Sequence, residues 1–224
     1  MNLRVFMGGT FDPVHYGHLR IADRLRSALG LPRLALLPTA VPPHKPQNAM
    51  TPVEHRVAMV RLALEKFPAL TLCTAELTDS IAYTVETLRT LRKGPPATDP
   101  VFVVGMDSVA ELSTWHDYRG LLDEFDLIAI ARPDHDRSSL RDCDPFVVER
   151  IRPAIDPRDA LRLIEHERLG RGGRIFPLRL PVEAVSSRQV RRRTAAGEPL
   201  DDLVPVDVAL YIQRHDLYVR GVTR

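Results

Sequence analysis

The sequence predicts a doubly wound α/β fold, a mostly parallel sheet with helices on both faces, followed by a C-terminal helical element. Three observations carry this expectation. Six short, nearly continuous apolar runs recur along the 224 residues. Helical 3.6-residue patterns alternate with them, and strands apolar at successive positions need cover on both faces, which crossover helices supply. Nearly every residue type suited to chemistry follows a strand end or begins a helix, where ligands bind in open parallel sheets.

The first run, Leu3–Met7, ends in Gly8-Gly9; apolar residues at Leu19, Ala22, Leu25, Ala28 and Leu29 then predict a helix over 17–29. Leu34–Leu37 reads as the second strand, followed by a helix over 52–66. Leu70–Thr74 is the third strand, and the loop Thr78–Ala82 leads into a helix over 84–93. Val101–Val104 and Leu127–Ala131 are strands four and five. Residues 133–156 mix charge, proline and short apolar pieces, and read as an irregular connection. A helix over 157–168 precedes the last strand, Ile175–Leu178. Beyond about 185 two helices are predicted, near 187–195 and 206–214, the first N-capped by Ser186 or Ser187. The expected organisation is one domain, 1–224, with an α/β core over 1–184 and the helical element over 185–224.

A hydrophobic fraction of 44% and a charged fraction of 27% are those of a globular chain with a real core. The formal net charge of +2 gives no general electrostatic case for nucleic acid or a membrane surface. Lysine occurs only at Lys45, Lys66 and Lys93, so the basic residues are nearly all arginine. That bias reflects either genomic base composition or anion recognition by forked donors. A nucleic-acid role would rest on Arg191–Arg193 alone, and Arg192 and Arg193 read as a solvated face. Cys73 and Cys143 form no disulfide framework and no CxxC motif, which suits a reducing cytosol. No apolar run reaches membrane-spanning length and no signal peptide precedes the first strand, so the expected location is cytoplasmic.

The chemistry is concentrated first in LRVFMGGTFDPVHYGHL, a strand, a glycine turn and a helix start. Helix N-termini attract anions, and two imidazoles three residues apart, His15 and His18, add donors for phosphate oxygens. Gly17 between them keeps bulk away. The same pair admits a metal site, though without a third ligand at motif spacing, or two structural histidines. Neither GxGxxG nor GxxxxGK[ST] is present, and Gly170, Gly172 and Gly173 precede a strand, the wrong context for a phosphate loop. Lys45, after Val41-Pro42-Pro43-His44, sits on a proline-stiffened loop able to reach a phosphate, or is an ordinary exposed lysine. Tyr83 and Thr84 open a helix whose first N–H groups suit a carboxylate; plain capping is the alternative. Trp115, the one tryptophan, reads as a stacking platform or a core residue. Asp107 suits a ribose or amide hydrogen bond, or a cap. Ser186, Ser187 and Arg191, with Arg188, put hydroxyls and an arginine at a helix start, which suits a triphosphate. Arg132, at a strand end before Pro133, is a further anion candidate.

GGTFDPVHYGHL resembles the HxGH signature of the nucleotidylyltransferase superfamily. Four further blocks follow in order: Pro43-His44-Lys45, Ala82-Tyr83-Thr84, Gly105-Met106-Asp107 with Trp115, and Ser186-Ser187 with Arg191. With VDVALYIQRHDLY at Val206 to Tyr218, nearly the whole chain is similar to the bacterial nicotinate-nucleotide adenylyltransferases. The resemblance implies a Rossmann-like nucleotidylyltransferase fold and adenylyl transfer from ATP to nicotinate mononucleotide in NAD biosynthesis. It implies catalytic roles for His15, His18 and Arg191. ATP would also meet Gly8, Gly9, Thr10 and Phe11 at the first turn, Gly105, Asp107 and Arg132 beyond later strands, and Ser186 and Ser187. His44, Lys45, Tyr83, Thr84 and Trp115 would hold the mononucleotide. Mg²⁺ would ride mainly on the ATP phosphates, with no metal ligands from the chain. Partners would be small molecules, with neither nucleic acid nor membrane, and a homo-oligomer is compatible with all of this. Two departures stand out: Ala82 where the family usually has serine, and Arg188 where it usually has threonine. The rival readings are transferases for nicotinamide mononucleotide, phosphopantetheine or glycerol phosphate, and a non-catalytic nucleotide sensor.

Overall fold

The six strands are β1 (Leu3–Gly9), β2 (Leu34–Pro38), β3 (Leu70–Leu72), β4 (Asp99–Gly105), β5 (Leu127–Ala131) and β6 (Ile175–Arg179). They form one sheet in the order β3-β2-β1-β4-β5-β6 with every pairing parallel. The computed structural model describes residues 2–40, 50–77, 82–131, 143–167, 169–170, 172–181 and 184–219. The chain winds outward from β1 to β3, then returns to the opposite side of β1 with β4. The sheet order reverses there, so a crevice opens beyond the carboxyl ends of β1 and β4. Their register runs from Leu3↔Asp99 to Met7↔Val103.

Neighbouring strand residues belong to different cores, as a period of two demands. Val5, Leu34, Leu36, Val101, Val103, Ile128, Ile130, Phe176 and Leu178 face one apolar cluster, built with α1 (Tyr16–Ala28) and α2 (Val53–Leu64). Phe6, Ala35, Leu37, Phe102, Val104, Leu127, Ala129 and Ile175 face the other, built with α3 (Thr84–Lys93), α4 (Met106–Ala110) and α5 (Tyr118–Glu124). Each Val, Leu, Ile or Phe among them contributes about 1.5–3 kcal/mol when fully buried, so a one-residue slip of any strand would exchange the two cores and is excluded.

The short helices α4 and α5 lie between β4 and β5; their five and seven residues are too few to display a helical period, and Gly105, not Asp107, caps α4. Residues 143–156 are more ordered than an irregular connection. Asp144 caps α6 (Pro145–Val148) by accepting from the Phe146 N–H at 2.8 Å, and Pro145 starts the helix. Ile151 and Ile155 then bridge to Ile175 and Leu178, covering the outer edge of β6. The helix expected over 157–168 divides into a 3₁₀ turn at Pro157–Asp159, capped by Asp156, and α7 (Leu161–Glu165).

The C-terminal element follows expectation closely. Ser186 caps α8 (Ser187–Ala196) by accepting from the Gln189 N–H at 3.2 Å, and Gly197 ends it in the left-handed region. Val208 and Ile212 of α9 (Val206–Arg214) are buried in the same cluster as α1 and α2. Among the described residues no helix is long and apolar enough to cross a membrane.

Candidate active site

The turn after β1 is shaped by close approaches. A Cβ on Gly8 would lie 2.3 Å from the Phe102 ring tip across the sheet, so only glycine lets β1 and β4 run together to their ends. Phe11 is 1% exposed and takes φ +47, a left-handed conformation in a non-glycine residue. Its ring meets His18 edge-on, with centroids 5.0 Å apart. His15 N-caps α1 with an extended backbone, His18 lies in the first turn, and the two imidazoles stack at 3.7 Å. A Cβ on Gly17 would come within 2.9 Å of His15 Nδ1 and 3.0 Å of the Val185 carbonyl. The N–H groups at this helix start are partly committed: Tyr16 donates to Leu203 at 2.8 Å and His18 to the His15 carbonyl at 2.9 Å.

The C-terminal element holds this turn in place. Arg191 Nη1 donates to the Asp12 carbonyl at 2.5 Å, and Ser187 Oγ donates to the Pro13 carbonyl at 3.0 Å. Ser187 therefore spends its single hydroxyl proton on the turn, while Ser186 accepts from Gln189. Asp12, 7% exposed, accepts on Oδ1 from the Tyr218 hydroxyl at 2.6 Å and on Oδ2 from the Thr51 N–H at 3.3 Å. Burial, then the Asp12 charge, pushes the Tyr218 hydroxyl pKa far up, so it stays a donor.

Two cavities meet at the ends of β1 and β4, sharing Gly8, Val103, Val104 and Gly105. The first, about 340 Å³, is lined by Gly9, Thr10, Ala82, Tyr83, Thr84 and Trp115 among others. The second, about 310 Å³, is lined by His15, Gly17, His18, Asp107, Ser186 and Ser187. Of the sequence-predicted mononucleotide residues, Tyr83, Thr84 and Trp115 line the first cavity; of the ATP residues, His15, His18, Asp107, Ser186 and Ser187 line the second and Gly8 and Gly105 form the crest between them. Gly9 and Thr10 lie on the mononucleotide side. Phe11 packs behind the turn, and Arg191 reaches it through Asp12. His44, Lys45 and Arg132 lie outside the described residues. Asp107 stands exposed in the first turn of α4, with Gly105 as N-cap; a Cβ on Gly105 would lie 2.2 Å from Asp107 Oδ1. Tyr83, rather than Thr84, is the N-cap of α3, and its side chain makes no capping bond. Its ring stacks on His116 at 4.0 Å, and Trp115 meets Phe102 edge-on at 6.4 Å, so the first cavity has an aromatic wall.

Thr39, Glu76, Ser108, Glu111 and His116 also line the first cavity, and sequence reasoning missed them. His116, next to the singled-out tryptophan, was the readable one. Glu76 is 2% exposed, and burial pushes its carboxyl pKa up against the opposing hydrogen bonds of Thr39 and Thr87. A raised folded-state value means stability is full below the ordinary 4.5 and is lost as pH rises through the folded value. Glu76→Gln is therefore expected to melt above the wild type at neutral pH, with the gap closing toward pH 4.5. Melting curves across pH check this; a gap independent of pH contradicts it.

Paired histidines on a strand-turn-helix at the switch point of a parallel sheet, with a second pocket across the crest, suit a nucleotidyl-transferring class of protein. The chain belongs to the cytidylyltransferase-like family, whose model matches residues 6–193. Its place there is among the nicotinate-nucleotide adenylyltransferases. It is 39% identical over 216 residues to the probable nicotinate-nucleotide adenylyltransferase of Symbiobacterium thermophilum, covering 96% of this chain and 94% of that one. The Yersinia pestis protein of the same name is 37% identical over 219 residues, covering 97% and 96%. The solved structure of Plasmodium falciparum nicotinic acid mononucleotide adenylyltransferase complexed with NaAD matches with a TM-score of 0.72 at 17% identity, covering 97% of this chain and 98% of that one. That likeness is one of fold.

Proposed function

We infer that the protein transfers the adenylyl group of ATP to nicotinate mononucleotide, giving nicotinate adenine dinucleotide and pyrophosphate in NAD biosynthesis. The observation that carries this is the pair of cavities meeting at Gly8 and Gly105, one aromatic-walled with a helix start, the other holding stacked imidazoles. A mononucleotide phosphate in the first cavity reaches across the crest to the α-phosphorus of ATP in the second. Its oxygen forms the new P–O bond in line as the bond from the α-phosphorus to the β-phosphate oxygen breaks, and pyrophosphate leaves with that electron pair. The attacking phosphate is already ionised at neutral pH, so no general base is needed, and catalysis is positioning plus charge stabilisation.

His15, His18 and Arg191 are assigned the charge that shifts in the transition state. The α8 start at Ser186 and Ser187, with Gly105 and Asp107, borders the ATP side. Tyr83, Thr84 and Trp115 are assigned the pyridine ring and its carboxylate. Among the described residues no group of three or more His, Cys, Asp or Glu side chains could hold a metal ion. We assign Mg²⁺ mainly to the ATP phosphate oxygens, where it would neutralise charge. The same reading has residues 1–224 act as one unit, in the cytoplasm, on small molecules alone.

The test is purified protein with ATP, Mg²⁺ and nicotinate mononucleotide, reading pyrophosphate. ATP binding without pyrophosphate release would instead support a nucleotide sensor. Stacking acts on substrate and transition state alike, so Trp115→Ala is expected to raise KM for the mononucleotide about tenfold with little change in kcat or in KM for ATP. Steady-state kinetics decide it; an unfolded variant would mark Trp115 as a core residue.

A further inference from the structure

Arg56, on α2, is 1% exposed, and buried arginines ordinarily pair with carboxylates. This guanidinium instead donates to four main-chain carbonyls. Nη1 bonds Thr10 at 2.7 Å and Thr39 at 2.8 Å, Nη2 bonds Ala40 at 2.8 Å, and Nε bonds Thr51 at 3.0 Å. Burial lowers its pKa, and the nearby Asp12 charge opposes that. Three separate chain segments converge on one planar group: the turn after β1, the exit of β2 and the entry to α2. Thr39 also donates to the Gly9 carbonyl at 3.1 Å, and Thr51 to Asp12 Oδ2. Ala40 and Met50 flank residues 41–49, the stretch that carries His44 and Lys45.

We propose that Arg56 is a positioning residue that fixes the distance between the two substrate cavities, by tying the phosphate turn at Thr10 to the mononucleotide-side wall at Thr39 and Ala40. The proposal rests on the adenylyl-transfer reading. Thr10 and Thr39 line the first cavity, and the turn continues through Asp12 to His15 and His18 of the second. In-line attack needs both phosphates held in register, and a displacement of about 1 Å caused by a remote substitution can cost about 10²-fold. Only arginine supplies donors in a rigid fork wide enough to gather these carbonyls; a lysine offers three from a single point.

The test is Arg56→Lys in the full chain, with Arg56→Gln measured the same way should the lysine variant not fold. Steady-state kinetics for both substrates are combined with hydrogen–deuterium exchange. For the folded variant, kcat is expected to fall at least about tenfold and KM for nicotinate mononucleotide to rise at least about fivefold. Amide exchange is expected to quicken in peptides covering 8–12 and 50–53 and to stay unchanged in β5 and β6. A merely structural role lowers kcat by the unfolded fraction, leaves KM alone and spreads faster exchange over the whole sheet; that pattern, or wild-type kinetics, overturns the proposal. If the wild type itself makes no pyrophosphate, the functional reading fails, while exchange confined to those peptides still establishes the tie and uniform or unchanged exchange refutes it.

Discussion

Replacing His18 with alanine is expected to lower kcat by about 10²–10³, near 3–4 kcal/mol, the usual cost of removing one preorganised donor from the site of developing charge. The geometry suits His18 to that proposed role. It sits in the first turn of α1, held by its stack on His15 at 3.7 Å and by the edge of Phe11, so it needs no reorganisation when charge shifts. KM should change little, because the interaction is assigned to the transition state. The fold should survive: the sheet and both apolar cores lie behind the turn, and His18 is only half-buried. His18→Asn, which retains a donor, should recover part of the loss. Pyrophosphate release, read beside thermal melting, decides between this and a structural histidine. Near-normal kcat in His18→Ala would end the proposed role.

The second large effect is the choice between acid and amide substrates, where kcat/KM should favour nicotinate mononucleotide over nicotinamide mononucleotide at least about tenfold, the factor that 1.4 kcal/mol represents. The first cavity ends on the start of α3, a ten-residue helix whose N-cap, Tyr83, makes no side-chain capping bond. A carboxylate accepts from such N–H groups and suits the positive end of the helix. An amide brings donors of its own, so N–H would face N–H, and an unmade hydrogen bond costs about 1–3 kcal/mol. The one acid in that first turn, Glu86, is drawn off to Arg89 at 2.6 Å. Burial pushes up the pKa of the Glu76 carboxyl, on the same cavity, and so opposes a negative charge beside the substrate. Ala82 withholds a hydroxyl that the family usually has there. Paired assays with the two mononucleotides settle the point; equal use of both would remove the carboxylate site and leave adenylyl transfer standing.

What was legible in the sequence was whatever local chemistry determines. Strands buried on both faces, such as Val101–Val104, announce themselves as unbroken apolar runs, and Ser186 before a polar helix announces a cap that the structure contains. The strand, turn and helix start from Leu3 to Leu19 were readable because an apolar run, a glycine pair and a helical period follow one another there. Short helices were not readable, since α4 and α6 complete little more than one turn. Nor was the mesh of contacts behind the site. Arg56 looks like any helix arginine, Glu76 like any loop acid, and their surroundings come from β2, α3 and the first turn. Ser187 illustrates the limit from the other side: the sequence suggests a hydroxyl for phosphate, and the structure turns it onto Pro13.

The hydrogen bond from Tyr218 to Asp12 joins residues 206 positions apart. During translation Tyr218 is made after Asp12 and after every strand of the sheet. The turn after β1 gains its bonds from Ser187, Arg191 and Tyr218 only when α8 and the tyrosine beyond α9 are present. A chain that has not yet been extended to Tyr218 therefore lacks this clasp on Asp12.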